Sequence, residues 1–142
     1  MGGLSSKRKG AAAEREAART LWAILEPVYS GLGREVPDIQ RNLMQTREGG
    51  YDLVGLDWIA LEVKRQERAN VEAWWRQAVQ QTGPGQIPVL MWRQNHQPWR
   101  YRVQVHVATG RSWMWTHVDM EGDVFYGWLQ KSVRERLISR SG

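Results

Sequence analysis

The chain contains no cysteine, which excludes disulfides, thiolate metal ligands and cysteine nucleophiles together. Its chemistry must therefore come from oxygen and nitrogen groups. No apolar run approaches the roughly 18 residues that a membrane helix needs. The N-terminus is basic but has no apolar segment of signal-peptide length, so the sequence predicts a cytoplasmic protein with no membrane partner.

Several catalytic and nucleotide-binding motifs are missing as well. The sequence has no Gly-x-Ser-x-Gly segment, no P-loop and no dinucleotide fingerprint, so neither a serine nucleophile nor a nucleotide cofactor is indicated. His-Glu-x-x-His does not occur, and the three histidines, His96, His106 and His117, have no partners at metal-ligand spacing. We interpret these histidines as structural or exposed.

Basic residues are in excess, with 20 Lys and Arg against 15 Asp and Glu and a pI near 10.0. The fixed charge and planar fork of Arg suit phosphate, which favours a nucleic-acid partner, although a GC-rich gene would also raise the Arg content. Nine Trp residues are many for a chain of 142. Their rings can stack on bases, but most are expected in the core or in a subunit interface.

The segment YDLVGLDWIALEVK, residues 51–64, has the pattern of a β-hairpin. In its second half, apolar residues alternate with others, so that Glu62 and Lys64 share one face of a strand. Asp52 begins the other apolar run, and pairing the two runs can bring Asp52 beside Glu62. Two carboxylates and an ammonium would then converge, as a hard divalent cation beside a phosphate requires. The alternative is a surface ion pair worth about 0 to 1 kcal/mol.

Residues 10–26 are rich in strong helix formers, and the sequence predicts a first helix that stops at Pro27. Ala18, Leu21 and Leu25 form its apolar line, and Glu14 continues that line towards the N-terminus. Such a carboxylate is either neutralised by a partner or placed for catalysis. Glu16 is expected on the other side, with Thr20.

Strands and helices alternate along the remainder of the chain. Asn70 is a predicted N-cap, and the apolar segment beginning at Gln86 is typical of a central strand covered on both faces. The strand that starts at Trp99 has one apolar face and one basic face, and the basic face is either solvated or turned towards DNA. The predicted elements are a possible strand at 36–43, a helix at 71–81, strands at 86–93, 99–107 and 112–120, and a helix at 124–138.

Four segments, in order, resemble the archaeal-type Holliday junction resolvases of the PD-(D/E)xK nuclease superfamily. They are RKGAAAERE at 8–16, YDLVG at 51–55, LEVK at 61–64 and IPVLMWRQNHQPWRY at 87–101. The resemblance covers roughly residues 7–103, and it is specific because four segments match with compatible intervals. It implies an α/β fold, with a mixed central β-sheet flanked by helices and a restriction-endonuclease-like core, and a homodimer that cleaves four-way DNA junctions.

The resemblance also implies a set of catalytic residues, Glu14, Asp52, Glu62 and Lys64. Asp52, Glu62 and the backbone carbonyl of Val63 would hold Mg²⁺, for which Mn²⁺ would substitute. Glu14 would assist through a water or a second metal, and Lys64 would position the nucleophilic water. The predicted DNA-binding residues are Lys7, Arg8, Lys9, Arg15, Arg41, Arg47 and Arg65.

The sequence departs from the family pattern at a few positions. Tyr51 stands where the superfamily has proline, and a literal Pro-Asp occurs instead at Pro37-Asp38. Asp52 is preferred because its hairpin is short enough to reach Glu62. The family's serine near the active site has no clear equivalent, although Thr46 is nearby.

The expected organisation is a flexible basic arm at 1–9, a nuclease core at 10–103 and an extension at 104–142 packed on the same domain. The arm is either a solvated tail or a contact to nucleic acid. The extension could enlarge the dimer interface through Trp113, Trp115 and Trp128, or it could extend the DNA surface. A nuclease for linear, nicked or flapped DNA and a catalytically silent DNA-binding protein are the alternative functions. Within the cytoplasm the protein is expected to be nucleoid-associated, and its gene is either cellular or viral.

Overall fold

The computed structural model describes the backbone of residues 3–41, 53–54 and 56–140, with side chains in 10–40 and 56–140. It has an α/β architecture in which one mixed β-sheet is flanked by helices, as the sequence predicts. The helices are α1 (Gly3–Gly31), α2 (Val71–Gln80) and α3 (Gly122–Ser139). None of the helices within these ranges is long and apolar enough to cross a membrane.

The sheet has six strands that lie in chain order, from β1 at one edge to β6 at the other. β3 and β4 are parallel, and every other neighbouring pair is antiparallel. The parallel pair needs a crossover, which α2 supplies. The strands are β1 (Gln40–Arg41), β2 (Leu53–Val54), β3 (Ile59–Gln66), β4 (Ile87–Gln94), β5 (Arg100–Ala108) and β6 (Trp113–Glu121).

The two faces of the sheet are covered by different helices because side chains alternate along each strand. Leu61 of β3 and Val89 of β4 belong to the larger core, which α1 and α3 cover. Leu90 and Trp92 point the other way and pack with Trp74 and Trp75 of α2 in a smaller core. The residues of β4 from Val89 to Met91 are fully buried, which confirms β4 as the predicted central strand.

Helix α1 is longer than predicted at both ends. It begins at Gly3 rather than residue 10, and it continues through Pro27 to Gly31. Proline removes one helical hydrogen bond, but burial of Leu25 and Tyr29 on either side of it offsets that loss. Gln130 Nε2 of α3 also donates to the carbonyl of Ile24 at 2.8 Å, just before the proline. Tertiary packing therefore carries the helix past a residue that stops most helices.

The C-terminal segment completes the main core. Phe125 of α3 stacks on Tyr101 of β5, with ring centroids 3.9 Å apart and planes 5° from parallel. Leu129 and Val133 follow at helical spacing and are also buried in the larger core. Trp128 packs against Trp58 with centroids 6.0 Å apart, so it serves the interior of this chain. The residues after 103 therefore share one hydrophobic core with residues 10–103.

A buried arginine ties α2 to the last two strands. Arg102 is only 5% exposed and donates to both carboxylate oxygens of Asp119, at 2.6 and 3.1 Å. It also donates to Glu72 at 3.1 Å and lies over the ring of Trp75. The basic face expected for β5 is therefore buried at Arg102, where two carboxylates compensate the charge.

The replacement Phe125→Ala should lower the free energy of unfolding by about 3 to 5 kcal/mol, because it removes a fully buried ring from the main core. Urea denaturation followed by far-UV circular dichroism measures the change. Val124→Ala is the matched control, since Val124 is the preceding residue and is exposed. Equal effects of the two replacements would show that α3 does not fill the core as described.

The pair formed by Arg102 and Asp119 should make stability depend on acid pH. Hydrogen bonds from Arg102 lower the pKa of Asp119 in the folded protein from its usual 3.8. Its stabilising contribution is therefore complete above that value and is lost as pH falls through the lower folded-state pKa.

We expect Asp119→Asn to be less stable than wild type near neutral pH, and the difference to shrink as pH falls below 3.8. Urea denaturation across a pH series measures both trends. Asp57→Asn is the control, because the pair of Asp57 with Arg140 is exposed and spans 3.8 Å. A constant difference between Asp119→Asn and wild type at all pH values would contradict the pairing.

Candidate active site

Glu62 and Lys64 lie side by side on β3. Both project from the face covered by α2, because their neighbours Leu61 and Val63 point into the core under α1. Lys64 Nζ lies 3.3 Å from Glu62 Oε1. Glu62 is only 2% exposed, whereas Lys64 keeps about a quarter of its side chain exposed (23%). The predicted same-face pair is therefore confirmed, with its carboxylate buried and its ammonium accessible.

The apolar surroundings of Glu62 make its charge costly. Glu62 is paired in register with Leu90 of β4, and Lys64 with Trp92, so the neighbouring strand offers apolar side chains on this face. A buried carboxylate needs a compensating cation. Lys64 supplies one at 3.3 Å. Since carboxylate oxygens are good ligands for Mg²⁺, the same buried group could also hold a divalent cation.

The predicted hairpin that leads into β3 is present. Leu53 of β2 pairs with Leu61 of β3 in antiparallel register. The turn includes Asp57 and Trp58, and Leu56 accepts a hydrogen bond from the backbone of Ile59 at 3.3 Å. Asp52 lies outside the described residues, and so do Tyr51 and Thr46.

The competing Pro37-Asp38 motif lies next to β1, two strands away from β3. Asp38 is exposed and precedes β1 by two positions. β1 pairs with β2, and β2 separates it from β3. The choice of Asp52 over Asp38 as the partner of Glu62 stays a prediction, because Asp52 lies outside the described residues.

Glu14 is carried by the opposite layer of the molecule. Its side chain is partly buried on α1, between the buried residues Ala13 and Ala17. α1 packs on the face of β3 that carries Leu61 and Val63, whereas Glu62 and Lys64 project from the other face. The predicted inward position of Glu14 is thus found in part. Lys64 is a charged side chain that lies against Glu62 on this face, at 3.3 Å.

The structure describes the side chains of only some of the predicted DNA-binding residues. Arg15 is exposed on α1, and Arg65 is partly exposed at the end of β3. Lys7, Arg8 and Lys9 belong to the first turns of α1, and Arg41 ends β1, but only their backbones are described; Arg47 lies outside the described residues. Residues 3–9 are helical where a flexible arm was expected, because α1 begins earlier.

A second charged cluster was not expected from the sequence. Glu16 of α1 accepts hydrogen bonds from Arg65 at 3.3 Å and from Trp99 at 3.1 Å. Arg93 Nη2 lies 3.1 Å from each carboxylate oxygen of Glu16, and its guanidinium lies over the ring of Trp99. One carboxylate thus holds two guanidinium groups where β3 and β4 end.

The prediction that Glu16 lies on the far side of α1 is wrong. The buried stripe is centred on Ala13, Ala17 and Leu21, and Ala18 is only partly buried, which turns Glu16 towards the ends of the strands. Thr20 bonds to the backbone carbonyl of Glu16 and does not hold its carboxylate. A usable signal exists in the sequence, since each of the two strands ends in the dipeptide Arg-Gln. Arg65 and Arg93 are direct neighbours in the parallel register.

The described residues contain no group of three or more His, Asp or Glu side chains that could hold a metal ion. Among their oxygen donors near Lys64 is the Glu62 carboxylate, which lies on the same strand as the Val63 carbonyl. These hard ligands suit Mg²⁺ or Mn²⁺, and a cation bound there would need a further carboxylate. Asp52, which the sequence predicts for that role, is outside the described ranges.

Comparisons with known proteins give no relatives: no family model, curated protein or solved structure matches the chain. The function of this protein therefore has to be inferred from its own residues and their geometry.

Removing the charge of Glu16 should leave Arg65 and Arg93 facing each other without their shared anion. We expect Glu16→Gln to lower the free energy of unfolding by about 1 to 2 kcal/mol. The loss should shrink in high salt, which screens the repulsion between the two arginines. Urea denaturation at low and high ionic strength measures it. Glu135→Gln, at an exposed position of α3, is the control and should have little effect at either; a stable Glu16→Gln protein would contradict the clustered arrangement.

Proposed function

We propose that the protein is a metal-dependent, structure-selective endonuclease with a restriction-endonuclease-like core, which resolves four-way DNA junctions as a homodimer. The observation that carries this proposal is the buried Glu62 with the Lys64 ammonium 3.3 Å away on the same strand face. A buried carboxylate beside an accessible ammonium fits the combined binding of a divalent cation and a phosphodiester.

The hairpin register supports Asp52 as the second carboxylate. Leu53 pairs with Leu61, and the predicted partnership of Asp52 with Glu62 belongs to the same antiparallel register. Asp52, Glu62 and the backbone carbonyl of Val63 would hold Mg²⁺, with Mn²⁺ as a substitute. The ion would supply an activated water and would polarise the scissile phosphate.

Within this proposal the Lys64 ammonium contacts the substrate phosphate and stabilises the transition state. Its partial exposure lets a substrate phosphate approach, and its positive charge would stabilise the negative charge that develops on the phosphate oxygens. The contact with Glu62 holds the Lys64 side chain on the strand face. Glu14, on the other layer of the fold, would act through a water or a second ion.

The overall charge and the expected symmetry favour a branched DNA substrate. The chain carries a formal net charge of +5, which supports binding to a phosphate backbone. Exposed Arg15 adds a basic group on α1, the helix that also carries Glu14. A homodimer with two-fold symmetry would present two equivalent sites to the opposed strands of a nearly two-fold junction.

Glu62→Gln should abolish Mg²⁺-dependent nicking of an immobile four-way junction, with a loss of about 100-fold or more, because the variant lacks the charge that holds the cation. Junction binding without metal should be retained. Gel assays of cleavage and fluorescence anisotropy of a labelled junction measure the two properties. Glu67→Gln, at an exposed residue just after β3, is the matched control and should cleave like wild type.

Other outcomes of this experiment select other functions. Retained cleavage by Glu62→Gln would reject the site, and equal cutting of a matched linear duplex would indicate a nuclease for linear or flapped DNA. Junction binding without nicking by the wild-type protein in Mg²⁺ or Mn²⁺ would indicate a catalytically silent DNA-binding protein. Asp52→Asn and Asp38→Asn, compared in the same assay, test the second carboxylate, and an active Asp52→Asn protein would overturn that assignment.

A further inference from the structure

The far ends of β5 and β6 leave the body of the sheet as a two-stranded projection. β4 pairs with β5 only as far as Val103, and beyond that point β5 pairs with β6 alone, out to Ala108 and Trp113. We call residues 104–117 the aromatic ribbon. Two of its aromatic side chains are largely exposed, Trp113 at 64% and Trp115 at 60%.

Aromatic rings form a continuous surface on one face of the aromatic ribbon. His106 is the cross-strand partner of Trp115, and their rings stack with centroids 4.5 Å apart and planes 20° from parallel. The His106 ring also lies 5.2 Å from that of Trp113. Flat rings held against one another by neighbouring strands have lost much of their rotational freedom before any ligand binds.

Near the turn, the opposite face of the aromatic ribbon is exposed and apolar too, whereas Val105, closer to the sheet, packs on the larger core. Val107 and Met114 are cross-strand partners there, and both are exposed. The connecting turn is firmly closed, because Thr109 and Ser112 bond through backbone and side-chain atoms, each at 2.8 Å. Gly110 has a φ of +84°, which glycine adopts without strain. The projection therefore presents apolar surface on both sides of a well-defined hairpin.

The charges of the aromatic ribbon favour a polyanion as its partner. The sequence has no acidic residue between Gln104 and Val118, and Arg111 lies at the turn. The whole chain carries +5. Exposed Trp rings beside a cation are the features that bind the planar bases and anionic backbone of single-stranded nucleic acid. A second copy of the chain fits less well as the partner. It would bring the same positive charge, and by packing on one face of the aromatic ribbon it would leave the other face exposed.

We infer that the aromatic ribbon is a base-stacking element that binds unpaired bases of DNA. The choice of DNA rests on the proposed nuclease function, and the aromatic ribbon would give that enzyme its preference for branches over continuous duplex. Bases stack on Trp113, Trp115 and His106, and Arg111 contacts the adjoining phosphates. β4 lies between β3, which carries Glu62, and the strands of the aromatic ribbon, so the ribbon is separate from the site at Glu62.

The test uses the full chain carrying Glu62→Gln, without metal, so that binding is measured apart from cleavage. The probes are a labelled oligo(dT) of about 20 nucleotides, long enough for a single-strand site, and a matched blunt duplex. Trp113→Leu and Trp115→Leu keep apolar bulk but remove the flat ring, whereas Trp115→Phe keeps a ring. Trp22→Leu is the matched control, because Trp22 is 50% exposed on α1, away from the aromatic ribbon.

Each Leu variant should bind oligo(dT) about tenfold more weakly, as expected for the loss of one stacked ring. Trp115→Phe should recover most of the affinity, Trp22→Leu should bind as the parent does, and duplex binding should change little. Fluorescence anisotropy titrations give the dissociation constants. Far-UV circular dichroism and urea denaturation confirm that the variants fold.

Three results would overturn the inference. In the first, the Leu variants bind oligo(dT) as the parent does. In the second, they become monomers in sedimentation while the parent is a dimer, which identifies a second copy as the occupant. In the third, they lose binding to phosphatidylserine vesicles and keep binding to oligo(dT), which identifies a lipid surface.

Failure of this inference differs from failure of the proposed function. If the Leu variants with native Glu62 nick junctions in Mg²⁺ and bind oligo(dT) normally, the nuclease stands and the stacking role falls. If oligo(dT) binding depends on the Trp rings while the wild-type chain never nicks DNA, the stacking role stands and the nuclease falls.

Discussion

The parallel pairing of β3 with β4 is the constraint on which the rest of the structure depends. It requires the crossover helix α2, which covers one face of the sheet and leaves the other to α1 and α3. Strand alternation then places Glu62 and Lys64 under the α2 layer. The same register places Arg65 beside Arg93, so that a single carboxylate, Glu16, can hold both guanidinium groups. The candidate site and the second charged cluster follow from one pairing.

The last third of the chain contains a part that packs in the fold and a part that extends into solvent. Near the body of the sheet it is structural, since Phe125 stacks on Tyr101 and Arg102 binds Asp119 between β5 and β6. Farther out, the same two strands lose their neighbours and carry Trp113 and Trp115 into solvent. A buried arginine and a stacked aromatic pair anchor the base of this hairpin in the fold. The exposed rings at its far end are the ones for which we propose base stacking.

Predictions from the sequence succeeded where local pattern is sufficient. Asn70 caps α2 by accepting a hydrogen bond from Ala73, and β4 is the buried central strand that its apolar run indicates. The prediction that α1 stops at Pro27 failed, because the benefit of burying Tyr29 is not visible in a local pattern. The position of Glu16 was predicted wrongly because the apolar line was drawn through Ala18. The buried line of the helix runs through Ala17, one residue earlier. A shift of that size is enough to move a carboxylate from solvent to the strand ends.

The sequence by itself determined the alternation that puts Glu62 and Lys64 on one strand face, since a strand has a period of two wherever it lies. It also determined the positive charge and the absence of thiol chemistry. Only the tertiary structure decided that Glu62 is buried, that Glu14 belongs to the opposite layer, and that Glu16 joins Arg65 to Arg93. Burial and partnership between distant residues depend on which layers meet, and that is set by the packing of the whole sheet rather than by any local period.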